Sequence, residues 1–342
     1  MAKRRLTQQQ RRRIAERQQR RAQSLRAQPD PAAAELGAEQ AGLIIAHYGR
    51  ELDVEALEQP LAGTVVRCRM RANLEPLVTG DRVVWQPELA SLDDDEPSGV
   101  VVAGLPRRSV LTRPDSHSGL PRPVAANIDE ILIVIAPEPT PFANLIDRYL
   151  VAAEQLGIEP VIVLNKSDLI TPERQPELEA LLAMYQRIGY RTLTASTVAE
   201  SGLDALRAAL RDRTGILVGQ SGVGKSSLIA ALLPGVDIRI GALSEAESKG
   251  RHTTTTARLF HLPDGGDLID SPGIREFGLE HLDRAQIERG FVEFHPWLGR
   301  CRFRDCAHEQ EPGCALHEAL ANGDIDPRRM ESYRAILSSL AT

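Results

Sequence analysis

The chain has 342 residues, of which 42% are hydrophobic and 26% are charged. This composition is that of a globular protein, and the length exceeds one ordinary domain core, so we expect several domains. The longest apolar run, Ile131 to Ala136, is far shorter than the ~20 residues of a transmembrane helix, which excludes a transmembrane protein. The basic amino terminus has no apolar segment behind it and does not resemble a secretory signal. We therefore expect a cytoplasmic protein without a membrane partner.

The net charge of −6 is distributed unevenly along the chain. Residues 1–28 contain ten Lys or Arg and one acid, Glu16, for a net charge of +9; the remainder contains 31 basic and 46 acidic side chains, for a net charge of −15. A basic, Gln-rich arm favours a polyanionic partner, although a solvated tail without a partner is the alternative. An Ala- and Pro-rich stretch follows at residues 29–41 and is typical of a linker. We predict a disordered arm and linker over residues 1–40.

Residues 61–112 have the pattern of a small β-domain. Val66, Cys68 and Met70 alternate with arginines, which predicts a strand with one apolar and one basic face. Further strands are predicted around residues 82–85 and 99–103, and together they favour an OB-type five-stranded barrel over residues 41–113. Such barrels often bind oligonucleotides, but the arginines are also compatible with a barrel that only keeps one face soluble. The arginines are Arg67, Arg69 and Arg71, and Cys68 is predicted to be a core residue.

From Asn127 onward, predicted strands alternate with predicted helices. Such alternation indicates a parallel sheet with helices on both faces and ligand sites at the carboxyl ends of its strands. We assign residues 114–280 to this α/β domain. The predicted strands are residues 128–136, 161–164, 215–218 and 267–269, and the predicted helices are residues 142–156, 177–188 and 227–233.

A glycine-rich loop follows the strand at residues 215–218 and reads G-Q-S-G-V-G-K-S. This is the G-x-x-x-x-G-K-S pattern in its required context of strand, loop and helix. Its backbone amides and the following helix amino terminus would hold phosphates. Lys225 would contact the β- and γ-phosphates as a catalytic group, and Ser226 would bind Mg²⁺. The predicted phosphate-binding residues are Gly219, Gln220, Ser221, Gly222, Val223, Gly224, Lys225, Ser226 and Ser227.

The sequence N-K-S-D follows the strand at residues 161–164 and predicts a guanine site. Asp168 can accept hydrogen bonds from guanine N1 and its exocyclic amine, a pair that adenine lacks. Lys166 would lie over the base, and Asn165 would tie this loop to the phosphate loop. After the next strand, residues 194–196 are placed to supply a backbone amide to the guanine oxygen. The predicted guanine-binding residues are Asn165, Lys166, Ser167, Asp168, Ala195 and Ser196.

A third motif, D-S-P-G, follows the strand at residues 267–269. Asp270 would hold Mg²⁺, and the Gly273 amide would sense the γ-phosphate. The polar segment 249–256 lies before it, and one of its four threonines could add a Mg²⁺ ligand, with a simple solvated loop as the alternative. The guanine motif thus precedes the phosphate loop and D-x-x-G comes last, so the chain is predicted to be a circularly permuted GTPase.

The last motif is Cys301-x4-Cys306-x-His308-x5-Cys314. Three thiolates and one imidazole form a full tetrahedral set for one structural Zn²⁺, with no open position for catalysis. The alternative is a surface histidine beside reduced cysteines. We predict a zinc-binding, partly helical domain over residues 281–342.

Together these motifs resemble those of the RsgA family, the circularly permuted GTPases that depend on the small ribosomal subunit. The segments A-A-N-I-D at residues 125–129, G-R-H-T-T-T at 250–255 and D-S-P-G-I-R-E-F-G at 270–278 add to the resemblance. It implies a monomeric GTPase that uses Mg²⁺ with GTP, is stimulated by the small subunit, and assists its late maturation. It also implies that the OB and zinc domains contact ribosomal RNA.

The catalytic water needs a partner, because Ile274 stands where many GTPases have a water-orienting Gln. His252 is the candidate by residue type and by resemblance, although a solvated loop histidine is the alternative. Two other functions remain open at this stage. One is a zinc-containing RNA-binding module that uses GTP only as an assembly signal, and the other is a permuted GTPase that serves the large subunit.

Overall fold

The computed structural model describes residues 36–71, 74–89, 97–114, 121–236, 257–270 and 279–340. These residues form two compact units. The first contains described residues up to 111 together with 123–127 and 257–259, and the second contains the others. The basic arm lies outside the described residues. The four-part division drawn from the sequence stays a prediction.

A closed five-stranded barrel forms the first unit. Its strands have the order β1-β2-β3-β5-β4, and β4 pairs back onto β1. Only β3 and β5 run parallel; the other neighbouring pairs are antiparallel. Closure leaves no unpaired sheet edge and confirms the predicted OB-type barrel. The strands are β1 (Gln40–Tyr48), β2 (Glu51–Ala56), β3 (Val65–Met70), β4 (Arg82–Pro87) and β5 (Ser98–Gly104).

The barrel begins earlier than the sequence indicated. Leu36 forms a β-bridge with Glu88, and the Gly37 amide donates to the Pro87 carbonyl at 2.8 Å. Residues 36–41, assigned to the linker from their composition, therefore belong to the barrel. The physical reason is that the end of β4 offers backbone groups to which this short segment can pair.

The period-two pattern of β3 is confirmed in the barrel. Val66 and Cys68 are fully buried and pack with Trp85, whereas Arg67 and Arg69 are exposed. Burial raises the pKa of the Cys68 thiol to about 12, so the thiol is protonated at neutral pH. Cys68 is therefore a core residue, as predicted.

The arginine face of β3 is largely paired with acidic side chains. Arg67 Nε lies 2.8 Å from Asp53 Oδ1, and Arg67 Nη1 lies 3.4 Å from Glu51. Arg69 forms an ion pair with Glu88. These two arginines therefore do not form the uniformly cationic surface that their spacing suggested, because β2 and the end of β4 contribute opposite charges.

The second unit is built on a parallel sheet with the strand order β10-β9-β8-β11-β13. All six residues of β8 are buried, which explains why this strand reads as a continuous apolar run. Strands β6 and β7 form a separate two-stranded sheet. The strands are β6 (Val110–Pro114), β7 (Pro121–Ala126), β8 (Glu130–Ile135), β9 (Glu159–Leu164), β10 (Arg191–Thr194), β11 (Thr214–Val218), β12 (Arg258–His261) and β13 (Asp267–Asp270).

The helices begin and end where local sequence signals place them. The first, α1, ends at Gly157, and α2 has a proline in its first turn and ends at Gly189; both glycines are left-handed. No helix within the described ranges has both the length and the hydropathy of a membrane span. The helices are α1 (Ala143–Leu156), α2 (Gln175–Ile188), α3 (Asp204–Leu210), α4 (Lys225–Leu232), α5 (Arg284–Gly290), α6 (Ala315–Asn322) and α7 (Pro327–Leu340).

A buried ion network fixes the carboxyl-terminal helices to the α/β sheet. Arg329 on α7 is fully buried; it pairs with Asp147 on α1 and, through Nε at 2.6 Å and Nη2 at 3.1 Å, with Glu293. The Tyr185 hydroxyl on α2 also donates to Asp147, at 2.7 Å. Burial raises the pKa of Asp147, and the Arg329 charge opposes that rise. Three helices and one 3₁₀ turn thus meet at one guanidinium.

We expect Asp147→Ala to lower the free energy of unfolding by about 3–5 kcal/mol, because it removes one of two anionic partners of a buried arginine. Urea unfolding measures the change. The matched control is Glu51→Ala, which breaks an exposed pair with Arg67 and should cost less than about 1 kcal/mol. Equal losses in the two variants would contradict the central role of the network.

Candidate functional site

The predicted nucleotide-binding loops lie at the carboxyl edge of the parallel sheet. Strand β8 is central: its Ile133 pairs with Val218 at the end of β11, and its Ile135 pairs with Leu164 at the end of β9. Because the strands are parallel and in register, the loops that follow β9 and β11 emerge on the same side of the sheet. The sequence-predicted guanine and phosphate loops are therefore neighbours.

The phosphate loop requires glycine at two positions. Gly219 has φ +138°, and a Cβ atom there would lie 2.2 Å from the Val134 carbonyl oxygen. Gly224 has φ +91°, and a Cβ atom there would lie 2.5 Å from Asn165 Nδ2. A side chain at either position would push the loop away from the sheet. The loop then leads directly into α4, an arrangement that suits a bound phosphate chain.

Lys225 is held over the loop that precedes it. Its ammonium donates to the Gly219 carbonyl at 2.6 Å and to the Gln220 carbonyl at 2.8 Å. Asp270 is the last residue of β13; burial raises its pKa, and the charge of Lys225 lowers it. Ser226 lies in the first turn of α4. A carboxylate and a hydroxyl are oxygen donors of the kind that Mg²⁺ prefers, so Ser226 and Asp270 fit the metal predicted for this site.

Asn165 and Lys166 join the guanine loop to its neighbours. Asn165 is 2% exposed, and its Nδ2 donates to the Val223 carbonyl at 2.9 Å. Lys166 has φ +56°, and its ammonium donates to the Gly222 carbonyl at 2.6 Å and to the Glu138 carbonyl at 3.2 Å. Two side chains of the N-K-S-D motif thus hold the phosphate loop in place.

A buried serine orients the carboxylate of Asp168. Asp168 is exposed, and its Oδ1 accepts a hydrogen bond from the hydroxyl of Ser196, which is fully buried. That hydroxyl accepts hydrogen bonds from the amides of Val198 at 3.1 Å and Ala199 at 3.2 Å. The neighbouring Ser167 lies in a 3₁₀ turn. An exposed carboxylate with a fixed orientation is what recognition of guanine requires.

The amides of Ala195 and Ser196 are engaged within the protein. Ala195 donates to the Leu164 carbonyl at 2.8 Å, since the ladder between β9 and β10 continues one residue past the strand, and Ser196 donates to the Gly202 carbonyl at 2.9 Å. The structure therefore does not present these amides to a guanine oxygen as the sequence suggested. What it shows for Ser196 is a contact of its hydroxyl with Asp168.

The loop at residues 136–142, between β8 and α1, is a part of the site that sequence reasoning missed. The Glu138 carbonyl accepts a hydrogen bond from Lys166, and Arg174 donates to the Pro137 carbonyl and the Thr140 hydroxyl, each at 3.3 Å. The loop therefore forms a fixed wall beside the guanine loop. The available signal was the run of alternating prolines directly after a buried strand.

Two predicted site residues, His252 and Gly273, lie outside the described residues, as do the threonines at 253–256. Their assigned roles stay predictions.

The cysteine and histidine cluster is assembled as the spacing predicted. The ligand atoms of Cys301, Cys306, His308 and Cys314 all lie within 4.8 Å of one another. His308 Nδ1 lies 3.5 Å from Cys301 Sγ and 3.3 Å from Cys314 Sγ. Metal–ligand lengths of about 2.3 Å for sulfur and about 2.0 Å for nitrogen give a tetrahedral S···N edge of about 3.5 Å. The four side chains therefore fit one tetrahedral metal ion.

The surroundings of the cluster also suit a metal. His308 is buried and its pKa is lowered by that burial, so its imidazole is neutral, the form that binds metals. Its Nε2 lies 3.8 Å from Glu288, a carboxylate behind the ligand of the kind that orients metal-bound histidines. Loss of hydration and hydrogen bonds with the other two thiols raise the pKa of Cys306 to about 12. Three such thiols ionise together only beside a cation.

Comparison with known proteins gives consistent matches. The RsgA GTPase family model matches residues 104–280. The small ribosomal subunit biogenesis GTPase RsgA of Azotobacter vinelandii is 57% identical over 345 residues, covering 99% of this chain and 98% of that protein. The protein of the same name from Chromohalobacter salexigens is 59% identical over 310 residues, covering 91% and 89%.

Two solved structures share the fold. YjeQ from Thermotoga maritima has a TM-score of 0.71 and 29% sequence identity, covering 89% of this chain and 99% of that one. YloQ, a circularly permuted GTPase, has a TM-score of 0.67 and 26% identity, covering 92% and 98%. These matches and the order of motifs along the sheet confirm the permuted fold. The chain belongs to the RsgA GTPase family.

Proposed function

We propose that the chain binds the small ribosomal subunit, hydrolyses GTP to GDP and phosphate when stimulated by it, and assists its late maturation. The observation that carries the proposal is the direct attachment of a guanine loop to a phosphate loop, through Asn165 to Val223 and Lys166 to Gly222. The relatives at 57–59% identity, named as small ribosomal subunit biogenesis GTPases, support the choice of subunit.

The proposed mechanism divides the work among residues at one sheet edge. Asp168 accepts from guanine, and its orientation is set by the Ser196 hydroxyl. The amides of the phosphate loop hold the phosphate chain, and Lys225 exchanges its contacts with its own loop for the β- and γ-phosphates. Ser226 and Asp270 hold Mg²⁺, which supplies charge neutralisation when bound. The site thus binds, orients and neutralises the reacting group.

Slow intrinsic hydrolysis follows from the residue after D-x-x-G. Ile274 has no group that can orient water, so we propose that His252 does so once the subunit is bound, with Gly273 in contact with the γ-phosphate. Both assignments rest on the sequence pattern and the family.

We propose that the bound metal at the cysteine cluster is a single structural Zn²⁺. Three thiolates and an imidazole select zinc among common cellular metals, and four protein ligands leave no open position for catalysis. Glu311 supports the loop by accepting hydrogen bonds from the amides of Ala307 at 2.7 Å and Glu309 at 2.8 Å. Backbone hydrogen bonds lower its pKa to about 2, so it remains ionised at neutral pH.

The metal loop itself has the chemistry of an RNA contact. Arg300, Arg302 and Arg304 are exposed, and the Arg302 guanidinium lies 5.5 Å from the ring centroid of Phe303, which is 44% exposed. Cationic side chains beside an exposed ring suit ribosomal RNA, because phosphates bind the charges and unpaired bases stack on the ring. Such a partner places the protein in the cytoplasm. We propose that it acts as a monomer.

We expect the chain to sediment with isolated small subunits in the presence of a non-hydrolysable GTP analogue, and much less with GDP. The reason is that only the γ-phosphate is sensed by the D-x-x-G loop. Large subunits and Lys225→Ala are the controls, and neither should give nucleotide-dependent binding. Preferential binding to large subunits would contradict the proposed partner.

We expect replacement of Cys306 and Cys314 by serine to remove the zinc and to reduce subunit-stimulated hydrolysis far more than intrinsic hydrolysis, since the nucleotide loops stay intact. Zinc content and phosphate release with and without small subunits measure the two effects. Cys68→Ala is the matched control and should retain zinc, because Cys68 lies in the barrel core. Equal loss of both rates in a variant that still binds GDP would mean that the cluster supports the GTPase fold instead of the ribosome response.

A further inference from the structure

The turn Thr79-Gly80-Asp81 of the barrel joins more chain segments than a surface turn needs. Thr79 and Asp81 are each 1% exposed. The Gly80 amide donates to the Ile44 carbonyl at 2.8 Å, and the Ile44 amide donates to the Asp81 carbonyl at 2.9 Å. The turn is therefore fixed to β1 on one side. The sequence indicated a turn here and no further role.

On its other side the turn holds two segments that are remote in sequence. The Ala126 amide donates to the Thr79 carbonyl at 2.9 Å, and Asn127 Nδ2 donates to the Gly80 carbonyl at 2.8 Å. The Thr79 hydroxyl donates to the carbonyl of Ala257, 178 residues further along the chain, at 2.8 Å in a buried position. One turn thus fixes the segment that precedes β8 and the residue that follows the threonine-rich segment.

The turn is rigid enough to act as an anchor. Asp81 accepts from the Val78 amide at 2.8 Å and from both Nε and Nη2 of Arg107 at 2.6 Å. Gly80 has φ +87°, and a Cβ atom there would lie 2.2 Å from the Ala126 carbonyl oxygen. Next to Ala257, Arg258 pairs with Ala46 of β1, so the anchored carbonyl belongs to the barrel ladder.

We infer that Thr79 is a positioning residue for GTP hydrolysis, acting through its hydroxyl on Ala257. This inference rests on the proposed function. Ala257 directly follows Thr256, and His252 is five residues before Ala257. Five residues span at most roughly 18 Å, so a fixed Ala257 limits where the threonines and His252 can be. Loss of the anchor widens that range, and small displacements of reacting groups cost large factors in rate.

The inference also assigns a connection between the barrel and the reaction. The threonine-rich segment ends on a barrel turn, so a barrel held on RNA also holds the end of that segment. Nucleotide affinity does not pass through this contact, since Asp168 and the phosphate loop lie on other elements. Thr79 should therefore affect turnover and leave GDP binding unchanged.

The test compares Thr79→Val, which keeps the shape and removes the hydroxyl, with Thr79→Ser, which keeps the hydroxyl. We expect Thr79→Val to lower subunit-stimulated kcat about tenfold with unchanged GDP affinity, and Thr79→Ser to hydrolyse GTP at nearly the wild-type rate. The control is Thr214→Val at the start of β11, whose hydroxyl lies 3.5 Å from Asp267. It should not change kcat.

Wild-type turnover in Thr79→Val, or an equal loss of kcat in Thr79→Ser, would overturn the inference. Stimulated hydrolysis by the wild-type chain is measured alongside, because its absence would instead count against the proposed function. A second measurement needs no variant: amide hydrogen exchange of residues 257–259 should be equally slow with a GTP analogue and with GDP. Fast exchange in either state would overturn the anchoring of Ala257.

Discussion

The nucleotide site depends on one buried hydrogen bond, from Asn165 Nδ2 to the Val223 carbonyl. The loops that it joins follow β9 and β11, which are not neighbours because β8 lies between them. Two strand spacings separate such loops by roughly 10 Å, so a side chain must bridge the gap. The bond also explains why circular permutation is tolerated: strand order in space brings the two loops together, and the order of the motifs along the chain does not matter.

Permutation changes where the remaining nucleotide-sensing segments end. The threonine-rich segment ends at Ala257, which the barrel turn fixes through Thr79. The D-x-x-G segment leads to Leu279, a fully buried residue at the start of the carboxyl-terminal region. That region is fixed to α1 by the pairing of Arg329 with Asp147. Each segment therefore terminates on a firmly packed part of the protein that also carries a candidate RNA contact.

The sequence predicted the elements whose chemistry requires fixed spacing. The glycines of the phosphate loop, the N-K-S-D motif after a buried strand, and the cysteine and histidine spacing are local patterns, and the structure brings their described members together. Long-range partner choice left no such pattern. Asp147 and Arg329 are 182 residues apart, and nothing near either residue marks the other. The acidic partners of Arg67 and the engaged amide of Ala195 depend likewise on which strands become neighbours.

The most direct test of guanine recognition at this sheet edge is the nucleotide preference of Asp168→Asn. The wild-type chain should bind GDP and discriminate against xanthosine diphosphate, whose C2 oxygen cannot donate to a carboxylate. The variant should lose GDP affinity by about a hundredfold or more and gain affinity for xanthosine diphosphate, because its new amide can donate to that oxygen. Unchanged GDP affinity in a folded Asp168→Asn protein would contradict the assignment of the site.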